Sequence, residues 1–234
     1  MLRIGNDPLR TLRNQSMLVI VFQMQPHHHN SETQRLMDAV NALYREFDVP
    51  APDVIEGCPC CIDTRGTDAL LNTPLRQISG EAIWRYVTGA FFTVGSERDF
   101  RYLMPRIFEL GALSPNDVPE QEIILNKLRL ANWQAWKPTE RASVDEFLDA
   151  WFDYALAQDI SEVEDGWLQR QAESVLCGIA MAGLSISKWL AKLKEPSASL
   201  VRADLAERVP NGLSGFWEDA PRGMIELQAM LKDR

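Results

Sequence analysis

The sequence predicts an all-α protein, and three observations carry that expectation. Apolar residues recur at three- and four-residue spacing through most of the 234-residue chain. Helix-start signatures precede several of those stretches: Ser31 with Gln34, Ser96 with Asp99, and Ser143 with Glu146. No alternating, strand-like pattern follows residue 25. Short capped helices joined by brief polar or proline-bearing loops build either stacked helical hairpins of the HEAT-like kind or an irregular bundle. No composition shift marks a linker, so residues 31–234 are expected to form a single helical domain. Residues 1–30 are an irregular N-terminal segment with a short strand or buried stretch at Leu18-Val19-Ile20-Val21-Phe22.

That apolar stretch follows Arg10 and Arg13, yet it is too short for a membrane span and lacks a small-residue cleavage site. Met17 is an alternative to Met1 as the native start. The first helix is expected over Glu32–Phe47, with Leu36, Val40, Leu43 and Phe47 on its inner face and Val49-Pro50-Ala51-Pro52 ending it. A short turn follows over Thr64–Leu71. Ser79 caps a helix whose inner face carries Ile83, Val87, Ala90 and Phe91, and Gly95 lies past its end. Ser96 opens the next, through Phe100, Leu103, Ile107 and Phe108 to Gly111, with Pro105 inside it either kinking it or starting its second half. Ser114-Pro115 precedes a helix from Glu120 to about Trp136. Ser143 opens one rich in aromatics, Phe147, Trp151, Phe152 and Tyr154, which is expected to be internal. Ser161 caps another that ends at Gly183. Three more follow, Ser185–Leu193, Ala198–Val209 and Pro221–Lys232.

Composition narrows the function. The chain is 46% hydrophobic with seven Trp, which excludes a disordered chain. Its formal charge of −9 opposes nucleic acid and anionic membranes, both of which need a positive field, and favours a basic protein partner. Four cysteines are too few for a disulfide framework, so a reducing, cytoplasmic setting is expected.

The one local sequence that composition makes improbable is Gly57-Cys58-Pro59-Cys60-Cys61. Cys58 and Cys61 form a C-x-x-C, half of a zinc site, and Cys60 is a third candidate ligand. His27, His28 and His29, all the histidines in the chain, or the distant Cys177 would complete it. The same C-x-x-C also admits redox chemistry, and the thiols equally suit apolar packing in a tight turn. These three readings stay open, with zinc the one cofactor considered; Cys177 itself lies on an apolar helix stretch and belongs to a core. The histidine tract is either a ligand set or a solvated loop.

Pieces of the chain resemble a group of bacterial hypothetical proteins: Gly57-Cys58-Pro59-Cys60-Cys61, then Leu70-Leu71-Asn72-Thr73-Pro74-Leu75-Arg76, then Asp99-Phe100-Arg101-Tyr102-Leu103-Met104-Pro105-Arg106. Lys127-Leu128, Trp133-Gln134-Ala135-Trp136 and Phe147-Leu148 with Trp151 extend it, over roughly residues 55–155. The resemblance implies a cytoplasmic bacterial protein with a helical fold and brings no activity.

Two further groups are candidates for binding. Trp133 and Trp136 line a pocket, anchor a partner, or build core. Asp145, Asp149 and Asp153, with Glu146, fall three and four apart on one helix face, suited either to a basic partner or to solvent. Arg101, Arg106 and Arg85 are placed to receive carboxylates from neighbouring helices or an anionic ligand. A phosphate-binding glycine loop, a G-x-S-x-G elbow and an H-E-x-x-H pair are all missing from the sequence, and no histidine outside the one tract could serve as a general base. The expectation is therefore a non-catalytic, acidic, helical interaction protein of the immunity or regulatory kind. The alternative is a zinc-binding protein or enzyme centred on Cys58, Cys60 and Cys61.

Overall fold

The computed structural model describes residues 27–59, 66–164, 166 and 168–232. Among these the fold is all-α, as the periodicity predicts. The helices are α1 (His27–Glu46), α2 (Thr67–Asn72), α3 (Gly80–Gly89), α4 (Glu97–Leu113), α5 (Gln121–Leu130), α6 (Pro138–Glu164), α7 (Gln171–Met181), α8 (Ser187–Leu193), α9 (Ser199–Arg208) and α10 (Pro221–Lys232). The expected strand near Leu18–Phe22 lies outside the described residues.

Two start signatures act as predicted. Ser79 accepts the Ala82 N–H at the head of α3, and Asp99 takes the Ser96 N–H at 2.8 Å at the head of α4. Three others do not, because something upstream or through space starts the helix instead. Ser31 lies inside α1 and donates its hydroxyl to Glu32. Ser143 lies inside α6, which begins at Pro138, a residue whose fixed φ and missing N–H suit a first turn; Glu140 accepts the Lys137 N–H there at 3.0 Å. Ser161 is also internal to α6, whose 27 residues run past it to Glu164. The stretch expected as one helix from Glu120 to Trp136 divides at Asn132, whose φ of 50° leaves the right-handed region, into α5 and a 3₁₀ turn over Trp133–Ala135. Pro105 sits within α4 without dividing it.

Helix α6 is the centre of the packing. Val144, Phe147, Leu148, Ala150, Trp151, Phe152 and Ala155 on it are all buried, which is what a helix apolar on more than one side requires. It packs against α1, α7 and α9. The Phe147 ring stacks on Phe108 of α4 at 5.0 Å, and Trp151 lies 5.4 Å from Phe147. The predicted inner face of α1, Leu36, Val40, Leu43 and Phe47, is buried, antiparallel to α6: Glu46 accepts from Thr139 at one end, and Arg35 pairs with Glu146 and Asp153 further along. Much of the core thus joins helices distant in sequence, as in an irregular bundle, whereas a hairpin stack would set each helix on its chain neighbours.

Helices α5 and α7 approach closely where α7 has Gly178. A Cβ there would sit 2.8 Å from Leu125 Cδ1 and 3.1 Å from the Gln121 carbonyl oxygen. Gly178→Ala is expected to lower unfolding free energy by about 1–3 kcal/mol, the usual cost of overpacking, despite alanine's better helix propensity. Urea unfolding of the two proteins checks this, and an unchanged or raised midpoint would show that α5 and α7 can separate freely.

Candidate functional site: the edge that carries Cys58

After α1 the chain runs extended toward the cysteine motif. Pro52 and Ile55 are buried and pin it to the core, while Val49 and Val54 are exposed, Val54 by 60%. Between them Asp48, Asp53 and Glu56 are exposed. These three carboxylates form no ion pair among the described residues.

The segment is held by the turn that follows α3. There the Gly89 carbonyl accepts the N–H groups of Phe92, Thr93 and Val94 at 2.9–3.3 Å, Phe91 adopts a φ of 67°, and the Phe91 N–H returns to Val94 O. Gly95 has a φ of 72° and lies so close over the Tyr86 ring that a Cβ would fall 2.8 Å from its hydroxyl oxygen. Two backbone bonds then join turn and segment: Gly95 N–H to Glu56 O at 2.7 Å and Cys58 N–H to Thr93 O at 2.8 Å. Cys58 is thereby fixed in backbone and half-buried.

Beneath the turn lies Lys127 of α5, only 3% exposed. Its ammonium donates to Ala90 O at 3.2 Å and sits 4.8 Å from the ring centre of Phe92, which is itself 68% exposed. Burial pulls the Lys127 amine down to about 8, since the charged form loses hydration and no carboxylate pairs with it among the described residues. Next to Asp48, Asp38, Asn41, Tyr44, Arg45 and Arg76 line an open depression of about 570 Å³. Arg76 stacks 3.7 Å above the Tyr44 ring, and the Tyr44 hydroxyl donates to Glu109 at 2.6 Å.

The other sequence candidates fall elsewhere. Cys60 and Cys61 lie outside the described residues; His27, His28 and His29 open α1, and their side chains lie outside as well. Among the described residues no three His, Cys, Asp or Glu side chains are grouped to hold a metal ion. Cys177 is buried in the core, as its apolar stretch predicts, and burial raises its thiol far above the ordinary range, with Glu122, Glu173 and Asp219 adding to the effect. Trp133 and Trp136 are core residues: the Trp133 indole donates to Ala182 O at 3.1 Å, and Trp136 meets Phe47 edge-on under Arg101. Asp149 binds Lys188 at 2.8 Å and Asp153 binds Lys192 and Arg35, so these acids of α6 are neutralised within the chain. Asp145 is half-buried, and burial raises its carboxyl, against the pull of Lys188. Arg101 receives Glu140 from α6, the carboxylate role foreseen for it, whereas Arg106 and Arg85 pair within their own helices with Glu109 and Glu81.

Lys127, Glu122, Asp159 and Glu173 were missed as buried charges. The available signal was position: Lys127 stands between Ile124 and Leu128 on the apolar side of α5.

No family model matches the chain, and neither a curated protein nor a solved structure matches it. Among the described residues no helix is long and apolar enough to cross a membrane.

Because Lys127 holds its proton less tightly when folded than when unfolded, its charge is a full cost below pH 8. That cost is relieved as pH climbs from about 8 toward the ordinary lysine value near 10.5. Lys127→Met is expected to raise stability by about 1 kcal/mol at pH 7, after loss of the Ala90 bond and the ring contact. It should also remove the contribution of this group to stability that is expected to grow above pH 8 in the unsubstituted protein. Chemical denaturation across pH 7–10 checks both.

Proposed function

We propose that the chain is a non-catalytic, acidic, helical interaction protein of a bacterial cytoplasm, binding a basic protein partner in the manner of an immunity or regulatory protein. The observation that carries this is the segment after α1. Asp48, Asp53 and Glu56 are exposed beside exposed Val49 and Val54, on a backbone pinned by Pro52, Ile55 and the Glu56–Gly95 bond. Exposed carboxylates that form no ion pair among the described residues, set around apolar contacts on pre-ordered backbone, favour a cationic surface with little ordering cost. The acids of α6 contribute less, since lysines and Arg35 already occupy them.

Affinity capture from the source cells tests this, with the unsubstituted protein and with D48K/D53K/E56K as baits. The expected result is one stoichiometric partner of net positive charge, bound at least about tenfold more weakly by the triple variant, or roughly 1.4 kcal/mol, and released from the unsubstituted protein by salt. Recovery of no stoichiometric partner by the unsubstituted bait would sink the proposal.

The second reading is a zinc-binding protein centred on Cys58, Cys60 and Cys61, with His27, His28 and His29 as further donors. It is favoured by the rigid hold on Cys58, whose backbone bond to Thr93 gives the motif a fixed point of departure. Elemental analysis of the purified protein should then find close to one zinc per chain, lost on Cys58→Ser; metal-free protein from zinc-supplemented cells removes this alternative.

A further inference from the structure

The corner between α6 and α7 is closed by carboxylates reaching through space. The residue at the α7 N-cap is Arg170, with a φ of 64° and no side-chain bond to the helix. Its place is taken by Asp159, from the last turns of α6 and fully buried. One oxygen of Asp159 accepts the Gln171 N–H at 3.0 Å, and the other accepts the Ala172 N–H at 2.9 Å. Three residues on along α6, Glu162 accepts the Gln169 N–H at 2.8 Å. Two of the first free N–H groups of α7, those of Gln171 and Ala172, are therefore satisfied by a side chain of α6.

The charges facing Asp159 are mostly of its own sign. Glu162 lies on the same helix, and Asp204 approaches from α9. The cations nearby are committed: Arg170 binds Asp204 at 3.2 Å, and Arg208 binds Asp204 and, on α7, Glu173, both at 2.6 Å. Asp159 itself forms no ion pair among the described residues.

We propose that this corner is a proton-operated joint: a proton taken up by Asp159, which stays buried, loosens its hold on the first turn of α7 while the rest of the molecule stays folded. On protonation one oxygen becomes a hydroxyl, which accepts more weakly than a carboxylate oxygen, so the backbone N–H bond it receives is weakened. Burial, then Glu162 and Asp204, favour the neutral acid against the two N–H bonds, and together push the group up to about 6. A folded value above the ordinary carboxylate range means that the folded protein binds this proton more tightly than the unfolded chain does. This group's contribution to stability therefore rises as pH falls from about 6 toward the ordinary value near 3.8, and protonation proceeds within the folded state rather than by unfolding it.

Amide hydrogen exchange by NMR between pH 7.5 and 5 tests the joint. Protection of Gln171 and Ala172 is expected to drop about tenfold with a midpoint near pH 6, while amides from Val175 to Met181 keep theirs. In Asp159→Asn the drop should vanish. Protection that stays flat in the unsubstituted protein overturns the proposal, and so does an equal drop in Asp159→Asn, which would assign the proton elsewhere. Should Asp159→Asn fail to fold, the side-chain carboxyl resonance of Asp159 decides: titration near pH 6 together with the two amides supports the joint, and titration in the ordinary carboxylate range overturns it. Glu162→Gln, which keeps the Gln169 acceptor and removes the neighbouring charge, should move the midpoint to lower pH.

Discussion

Everything else in the structure leans on the burial of α6 on several sides at once. A helix with Phe147, Leu148, Trp151 and Phe152 on adjacent faces has no solvent side to spare over that stretch. At about 1.5–3 kcal/mol for each large apolar side chain fully buried, these four alone supply on the order of 10 kcal/mol of driving force before entropy is counted. That demand recruits partners from across the chain: α1 covers one side, α4 sends Phe108, and α7 and α9 close the rest. Of the charged residues of α6, Glu146, Asp149 and Asp153 share a strip where Arg35, Lys188 and Lys192 meet them.

This organisation explains which parts of the fold were legible in the sequence. Helical period depends only on which residues are apolar, so α1, α3 and α4 could be read with their inner faces, and α10 by its range. Helix starts depend on competition. Ser79 and Ser96 cap because nothing precedes them that could extend the helix. Ser143 and Ser161 resemble them in sequence, yet each lies in a stretch whose apolar neighbours gain more from continued burial than a cap supplies, about 1 kcal/mol. At α7 the cap comes from Asp159, twelve residues upstream of Gln171, and no local motif encodes that. Asn132 divides α5 from the turn of Trp133 by a single backbone angle, a choice that periodicity does not register.

The candidate site was legible to a lesser degree, for a related reason. The cysteine motif stood out by composition, and the edge that carries it has a definite backbone. What gives that edge its electrostatic character is whether each charge finds a partner. Asp145, Asp149 and Asp153 looked like a free acidic face, and Asp149 and Asp153 are held by cations from α1 and α8. Asp48, Asp53 and Glu56, in the extended segment after α1, are exposed and form no ion pair among the described residues. Lys127 is covered by Phe92 and the turn above it. Pairing and burial are properties of the assembled helices, and one-dimensional spacing holds no record of them.

The antiparallel contact of α1 with α6 also sets a schedule for the nascent chain. Arg35 meets Glu146 across 111 residues of sequence. At roughly 5–20 residues per second, a ribosome needs on the order of 6 to 20 s to add them. During that interval the apolar face of α1 lacks its main cover, α6, and has only its smaller contact with α4. Because α6 is the shared partner of α1, α7 and α9, native structure should gather around α6 and reach back across the sequence to α1.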